Sequence, residues 1–270
     1  MPGIISFSRD GVGYIVVVAL AVCLVCSVLV ASAATFLKPL QTVNAKADRR
    51  SNILDVAGLP TGPDVDVNAV FRDRIDLRVV DLATGEYAKD VDVSKYDQRA
   101  AASDPDKSIK IAPSDDIADI KRRAKYAEVY LVHDEQGKLS RIVLPIHGYG
   151  LWSTMYGFLA LEPDANTVDG IKYYEQGETP GLGGEVENPR WRAKWDGKQI
   201  YGDNGDDVRL SVIKGSVGAN TPNAEYKVDG LSGATLTSRG VSNMIHYWMG
   251  ENGFEPFLKN IRSGKLAAEG

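Results

Sequence analysis

The hydrophobic pattern divides the chain into two unequal parts. From Gly11 to Leu37 no residue is charged. About 20 apolar residues span a bilayer, so this run is long enough to cross one with tilt to spare. A cleaved signal peptide is the rival reading, because Ala31-Ser32-Ala33 has the small residues of a cleavage site. Apolar cores of signal peptides run only about 7–15 residues, and the longer run favours a retained anchor. The pattern predicts a short N-terminus and transmembrane anchor over 1–37 and a polar, helical or linker-like juxtamembrane segment over 38–50. A soluble domain over 51–262 and a short C-terminal tail over 263–270 complete the chain.

Inside the soluble part the period changes repeatedly. Ile75 to Leu82 alternates and runs into Thr84-Gly85, which reads as a strand and turn. Ala127 to Val132 and Leu139 to Ile146 flank a turn at Asp134 to Gly137 and predict a hairpin. Further strands are expected at Tyr156 to Leu161, Gly170 to Tyr174, Gln199 to Tyr201 and Val208 to Ile213. Ile117 to Ala124 is short, charged and helix-compatible, and Lys121-Arg122-Arg123 reads as a solvated face. Trp191, Trp195 and Tyr201 read as a small apolar satellite on a sheet edge. Val241, Met244, Ile245 and Trp248 recur at helical spacing, with Gly250 where a C-cap would fall. Many strands with helices gathered near the ends argue for an α+β fold.

Composition narrows the function classes. A chain of 270 residues with 44% hydrophobic and 25% charged residues has room for one large domain or two small ones. The net charge of −5, with no clustered basic face, argues against nucleic acid. The two cysteines, Cys23 and Cys26, lie inside the apolar run, where cysteine acts as a small apolar residue. His133, His147 and His246 are scattered, so a zinc or iron–sulfur site in the soluble part is not expected. There is no G-x-S-x-G elbow and no Walker loop.

Three glycine-rich stretches carry the candidate chemistry. The first is His147 to Ser153, the second Glu178 to Glu185, and the third Asp229 to Ser238. In the third, Ser232 to Thr237 falls at or just before the helix that contains Val241. Free N–H groups and the positive end of the helix dipole suit that place to a phosphate, and a hydroxyl there could bind one or be esterified to it. The plain alternative is that Ser and Thr cap helices and glycine-rich turns merely precede them. Leu151, Trp152 and Leu182 are apolar groups that could flank a flat ring, core packing being their other reading. Thr179 and backbone N–H groups near Gly183 could bond its edge. Glu178 and Glu185 read as surface charges unless the fold turns them inward.

The string Asp229-Gly230-Leu231-Ser232-Gly233-Ala234-Thr235 resembles the flavinylation motif of respiratory flavoproteins, in which FMN is joined through its phosphate to the last Thr. Tyr173 to Glu185, Asn188-Pro189-x-Trp191, Val228 to Ser238 and Gly253-Phe254-x-Pro256-Phe257-Leu258 are together similar to the singly anchored FMN-binding subunits of the sodium-translocating NADH:quinone reductases. The equivalent flavinylated subunit of the ferredoxin:NAD reductase complex shares the motif and is the alternative, and a non-redox anchored binding domain is a second. The resemblance implies a transmembrane helix followed by a mixed-sheet FMN-binding domain. It implies FMN in a phosphoester bond to Thr235, installed by a flavin transferase that reads Asp229, Ser232, Gly233, Ala234 and Thr235. Ser232, Gly233, Ala234, Leu236, Thr179, Leu182, Gly183, Trp152, Leu151 and Glu178 would surround the cofactor. No residue is assigned a catalytic role, since the chain would relay electrons while other membrane, flavin and iron–sulfur subunits of the complex handle NADH, quinone and ions.

Orientation is where charge and resemblance disagree. Arg9 precedes the anchor, whereas Lys38, Lys46, Arg49 and Arg50 follow it, so charge alone puts the domain in the cytoplasm. The resemblance puts it on the periplasmic side of the bacterial inner membrane. Four cations beside one helix are weak evidence, and the resemblance is preferred.

Overall fold

The computed structural model describes residues 11–202, 205 and 207–266. Arg9 and residues 267–270 of the expected tail lie outside them. Helix α1 runs from Val12 to Val56 with Pro39 inside it. It is the one helix among the described residues long and apolar enough to cross a membrane. The polar stretch 38–50 is helical throughout. Two compact units divide at Asp48 and Arg49.

The second unit is built on one antiparallel sheet. Helix α2 (Val67–Arg74) starts at Asp66, whose carboxylate accepts from the N–H groups of Asn68 and Ala69. Strand β1 (Ile75–Asp81) follows, then helix α3 (Gln98–Ser103) and the small pair β2 (Ser108–Lys110) and β3 (Arg122–Ala124). The meander β4 (Tyr126–His133), β5 (Leu139–Tyr149), β6 (Thr154–Leu161) and β7 (Val168–Glu175) completes the sheet in the order β1-β4-β5-β6-β7. The turn between β4 and β5 closes on Asp134, whose side chain accepts from the N–H groups of Gln136 and Lys138. After helix α4 (Pro189–Arg192), the short strands β8 (Ser211–Val212) and β9 (Lys227–Val228) pair in parallel, which makes the pairing mixed across the domain. Helices α5 (Thr235–Met249) and α6 (Glu255–Arg262) end the fold.

Each face of the sheet has its own core. On one face Val241, Met244, Ile245 and Trp248 of α5 pack with Ile142, Leu144, Ile146, Leu159 and Ile171. On the other, Ile53, Leu54, Val56 and Ala57 at the end of α1 pack with Tyr130, Val132, Val143, Phe158 and Ala160, and α2 adds Val67, Val70 and Phe71. Period-2 alternation along β5 and β6 supplies both sets.

The structure corrects several local expectations. Ile117 to Ala124 is not a helix: Asp119 and Lys121 take positive φ values of 54° and 66°, and β3 begins at Arg122. Left-handed residues break a helix, and the turn they make buries Arg123 instead of solvating it. Gln199 to Tyr201 forms only isolated bridges, and of Val208 to Ile213 only Ser211 and Val212 pair as a strand. Trp191, Trp195 and Tyr201 belong to the α5 core and are no satellite. The polar atoms of two of them explain the fit: Trp191 Nε1 donates to Asp229 O at 2.8 Å and Tyr201 Oη to Met249 O at 2.7 Å.

Leu54 is fully buried under the sheet. Leu54→Ala is expected to cost the full chain about 2–5 kcal/mol in denaturant unfolding in detergent. A change near zero would show that the end of α1 does not help hold the domain.

Candidate functional site

Thr235 is the first residue of α5, and no side chain caps the helix at Ala234. The local turn is closed from inside. Ser238 accepts the Leu231 N–H on its hydroxyl at 3.0 Å and donates its own N–H to Ala234 O at 3.0 Å. This buries Leu231, Ala234, Thr237 and Ser238 and leaves Ser232, Gly233, Thr235 and Leu236 exposed. Gly233 has φ +72°, and a Cβ there would stand 2.8 Å from Leu182 Cδ2. Among the motif's hydroxyl residues, Thr237 is inaccessible at 1% exposure, whereas Ser232 and Thr235 are open to solvent.

Thr237 is buried because of Glu178. Its hydroxyl donates to Glu178 Oε2 at 2.7 Å. The other carboxylate oxygen, Oε1, accepts from the N–H groups of Leu151, Trp152 and Ser153 at 3.0, 2.9 and 3.3 Å. One side chain thus ties the β5–β6 turn to the first turn of α5. The approach is close enough to explain two glycines: a Cβ at Gly150 would lie 2.5 Å from Oε1, and one at Gly183 would lie 2.8 Å from Oε2. Burial pushes the Glu178 carboxyl up, but the Thr237 hydroxyl and the three N–H donors outweigh it and hold the group below the usual range. Composition alone reads Glu178 as a surface charge; the fold turns it inward, and both oxygens face protein donors. Nothing local in the sequence signals this beyond the glycines around it.

The tied loops present an apolar rim. Trp152 is 66% exposed, so core packing is not its role, and Leu151, Leu182 and Leu236 are exposed beside the same loops. Isolated exposed leucines mean little, but a group of large apolar side chains on joined loops marks a binding surface. Thr179 is exposed at the rim, its carbonyl accepting from the N–H groups of Leu182 and Gly184. Gly183 is buried at the start of a 3₁₀ turn, Gly183–Glu187.

On its other side Thr235 lines a small cavity of about 200 Å³ with Lys214, Gly215, Gly230, Ser238 and Arg239. Lys214 and Arg239 make no salt bridge among the described residues, so two cations flank the uncapped helix start. That donor set fits a phosphate. Asp229 sits beneath the loop at 9% exposure. Its carboxylate pairs with Lys194 Nζ at 2.5 Å and accepts the Val217 N–H at 2.9 Å. Burial pushes the Asp229 carboxyl up, while Lys194 and the Val217 N–H draw it below the usual range.

The clamp makes a direct prediction. Glu178→Gln leaves the shape but removes the charge, and should cost about 1–3 kcal/mol in chemical unfolding near neutral pH. Glu178→Ala leaves three N–H donors unsatisfied and should cost more. The folded carboxyl titrates below its unfolded value, so its contribution is complete above about pH 4.3 and is lost as pH falls through the folded pKa. The Gln variant should lack that part of the acid dependence. An unchanged acid profile would mean the clamp contributes nothing.

The site falls inside residues 150–250, which match the FMN-binding domain family. The C subunit of the Na(+)-translocating NADH-quinone reductase of Neisseria meningitidis serogroup A is 51% identical over 258 residues, 96% of this chain and 97% of that one. Its Pseudomonas aeruginosa counterpart is 51% identical over 250 residues, 92% of this chain and 95% of the relative. Among solved structures, Shewanella oneidensis NqrC superposes with a TM-score of 0.74 at 38% identity, covering 81% of this chain and 99% of that one. The corresponding protein from Parabacteroides distasonis gives 0.64 at 26% identity, covering 82% and 96%. These relatives carry the name of the sodium-translocating enzyme and support neither the ferredoxin-linked alternative nor a non-redox anchored domain. The chain belongs to the C-subunit family of the Na(+)-translocating NADH-quinone reductases.

Proposed function

We propose that this chain is the membrane-anchored electron-relay component of a sodium-translocating NADH:quinone oxidoreductase, carrying FMN in a phosphoester bond to Thr235. The observation that carries the reading is the position of Thr235. It is exposed at the uncapped start of α5, with a cation-lined cavity on one side and an apolar rim on the other. A phosphate and a flat ring need those two environments, and one residue stands between them.

The chain's own residues then have distinct tasks. Thr235 Oγ is the tether. Lys214, Arg239 and the first N–H groups of α5 offset the phosphate charge. Leu151, Trp152, Leu182 and Leu236 shield the ring, while the Thr179 hydroxyl and N–H groups near Gly183 are its edge donors. Ser232, Gly233 and Ala234 shape the turn that offers Thr235 to a flavin transferase, and Glu178 and Asp229 hold that turn in place. FMN exchanges one or two electrons with neighbouring centres, and the protein sets its position and surroundings. Other subunits of the complex carry NADH, quinone and ion chemistry. The anchor is α1, and the domain lies on the periplasmic side of the inner membrane.

Intact mass and peptide mapping of the chain expressed with its transferase test this. The expected result is a gain of one FMN minus water on the peptide that contains Thr235. Thr235→Ala should abolish the gain and, as an exposed substitution, change stability by no more than about 0.5 kcal/mol. Modification on Ser232 would move the tether, and an unmodified chain beside an active transferase would remove the proposal.

A further inference from the structure

A second cleft lies where β5 and β6 run beyond the end of α1, and His147 in its floor also meets Trp248 of α5, ring centroids 4.9 Å apart. Along β5 and β6, Ile53 and Leu54 of α1 cover Val143 and Phe158. Farther along the same strands the pairs His147–Tyr156 and Tyr149–Thr154 floor a cavity of about 620 Å³. Its walls are Arg49, Arg99 of α3, and the turn Asp119 to Arg122. Four cations therefore face the cavity and one carboxylate does, in a chain of net charge −5.

The partners of these cations lie mostly behind the wall. Arg49 pairs with Glu128, which is buried and also accepts the Tyr130 hydroxyl. Even so, Arg49 Nε is buried with no hydrogen-bond partner. Arg99 is held bidentate by Glu175 at 2.7 and 3.1 Å and lies 3.7 Å over the Tyr156 ring. Lys121 pairs with Asp119 at the rim. Arg122 meets no carboxylate among the described residues; Ser108 Oγ, at 2.9 Å, and Pro105 O accept from it. In the floor His147 is a neutral ring, since burial and then the Arg99 charge lower its pKa to about 4. Among these cations Arg122, which meets only a hydroxyl and a carbonyl among the described residues, is the charge a ligand carboxylate would meet first. It also adjoins the candidate flavin site: Tyr149 lines it, and the Tyr149 hydroxyl donates to Trp152 O at 3.2 Å.

We propose that this cleft docks a carboxylate-bearing segment of another protein of the complex, with Arg122, Lys121 and Arg49 as its charge partners. The inference rests on the reading of this chain as part of that complex. The cavity is much larger than one phosphate needs, and its cations come from three separate segments, α1, α3 and the turn 119–122, which suits a peptide with acidic side chains. A partner seated there lies against the strands whose turn carries Trp152. Electrostatic pairing of this kind sets orientation and partner choice.

Zero-length carbodiimide coupling on the purified complex, followed by peptide mapping, tests the contact. The expected result is a bond from Lys121 to an Asp or Glu of a different subunit, above the internal Lys121–Asp119 product. A Lys121→Gln, Arg122→Gln chain should be retained in the complex roughly tenfold less well at moderate salt. Its FMN content and unfolding midpoint should stay at the wild-type values. Coupling only to Asp119, with wild-type retention of the double variant, would overturn the proposal. So would protection of Lys121 from acetylation by inorganic phosphate alone, with no intersubunit product, because that describes a small-anion site. A wild-type chain that does not co-purify with any other protein of the complex would overturn the reading as a component and this inference with it.

Discussion

The site depends on one carboxylate that touches almost no solvent. Glu178 collects three N–H donors from the β5–β6 turn and one hydroxyl from α5, groups far apart in the chain. Charge-assisted bonds to several donors are the strong kind, and here they join the two loops while leaving the first N–H groups of α5 uncapped. Because one anion holds both loops, Trp152 cannot move far from the head of α5 without leaving buried donors unpaired. The walls are therefore ordered when the domain folds. A cofactor that meets such walls does not have to order them on arrival.

Asp229 plays the matching part on the other side. Its pairing with Lys194 and Val217, and its carbonyl's acceptance of Trp191 Nε1, fix the turn that precedes Thr235. An acid in a motif is easily taken for a recognition handle alone. In this fold it is a strut between the tryptophan core and the cavity beside Thr235. Gly150 and Gly183 likewise have a structural task, since they admit the Glu178 carboxylate before any ligand is considered.

Much of this was legible in the sequence where the signal is local. The alternation of β1, the β4–β5 hairpin, the apolar stripe of α5 and the helix start just after the Asp229 to Ala234 string all lie within a few residues of themselves. The missed features are pairings across long separations. Glu178 meets Thr237 across 59 residues, and no periodicity encodes that. Trp191, Trp195 and Tyr201 look like a satellite only while their partners, such as Met249 O, are unknown. The failed helix at Ile117 to Ala124 has a backbone cause, because charge and length permit a helix that left-handed Asp119 and Lys121 do not. Arg49 and Arg50, counted as flanking charges, are engaged by Glu128 and Asn68 within the domain.

The exposure of Thr235 at the head of a rigid helix has a consequence for occupancy. A ring joined there hangs from one short side chain within reach of the Leu151, Trp152, Leu182 and Leu236 rim. Its meeting with that rim would be intramolecular, governed by an effective concentration on the order of millimolar and not by the cell's supply of free flavin. Dilution cannot empty such a site. A ring tethered there would lift off and settle again many times while the chain kept custody of it.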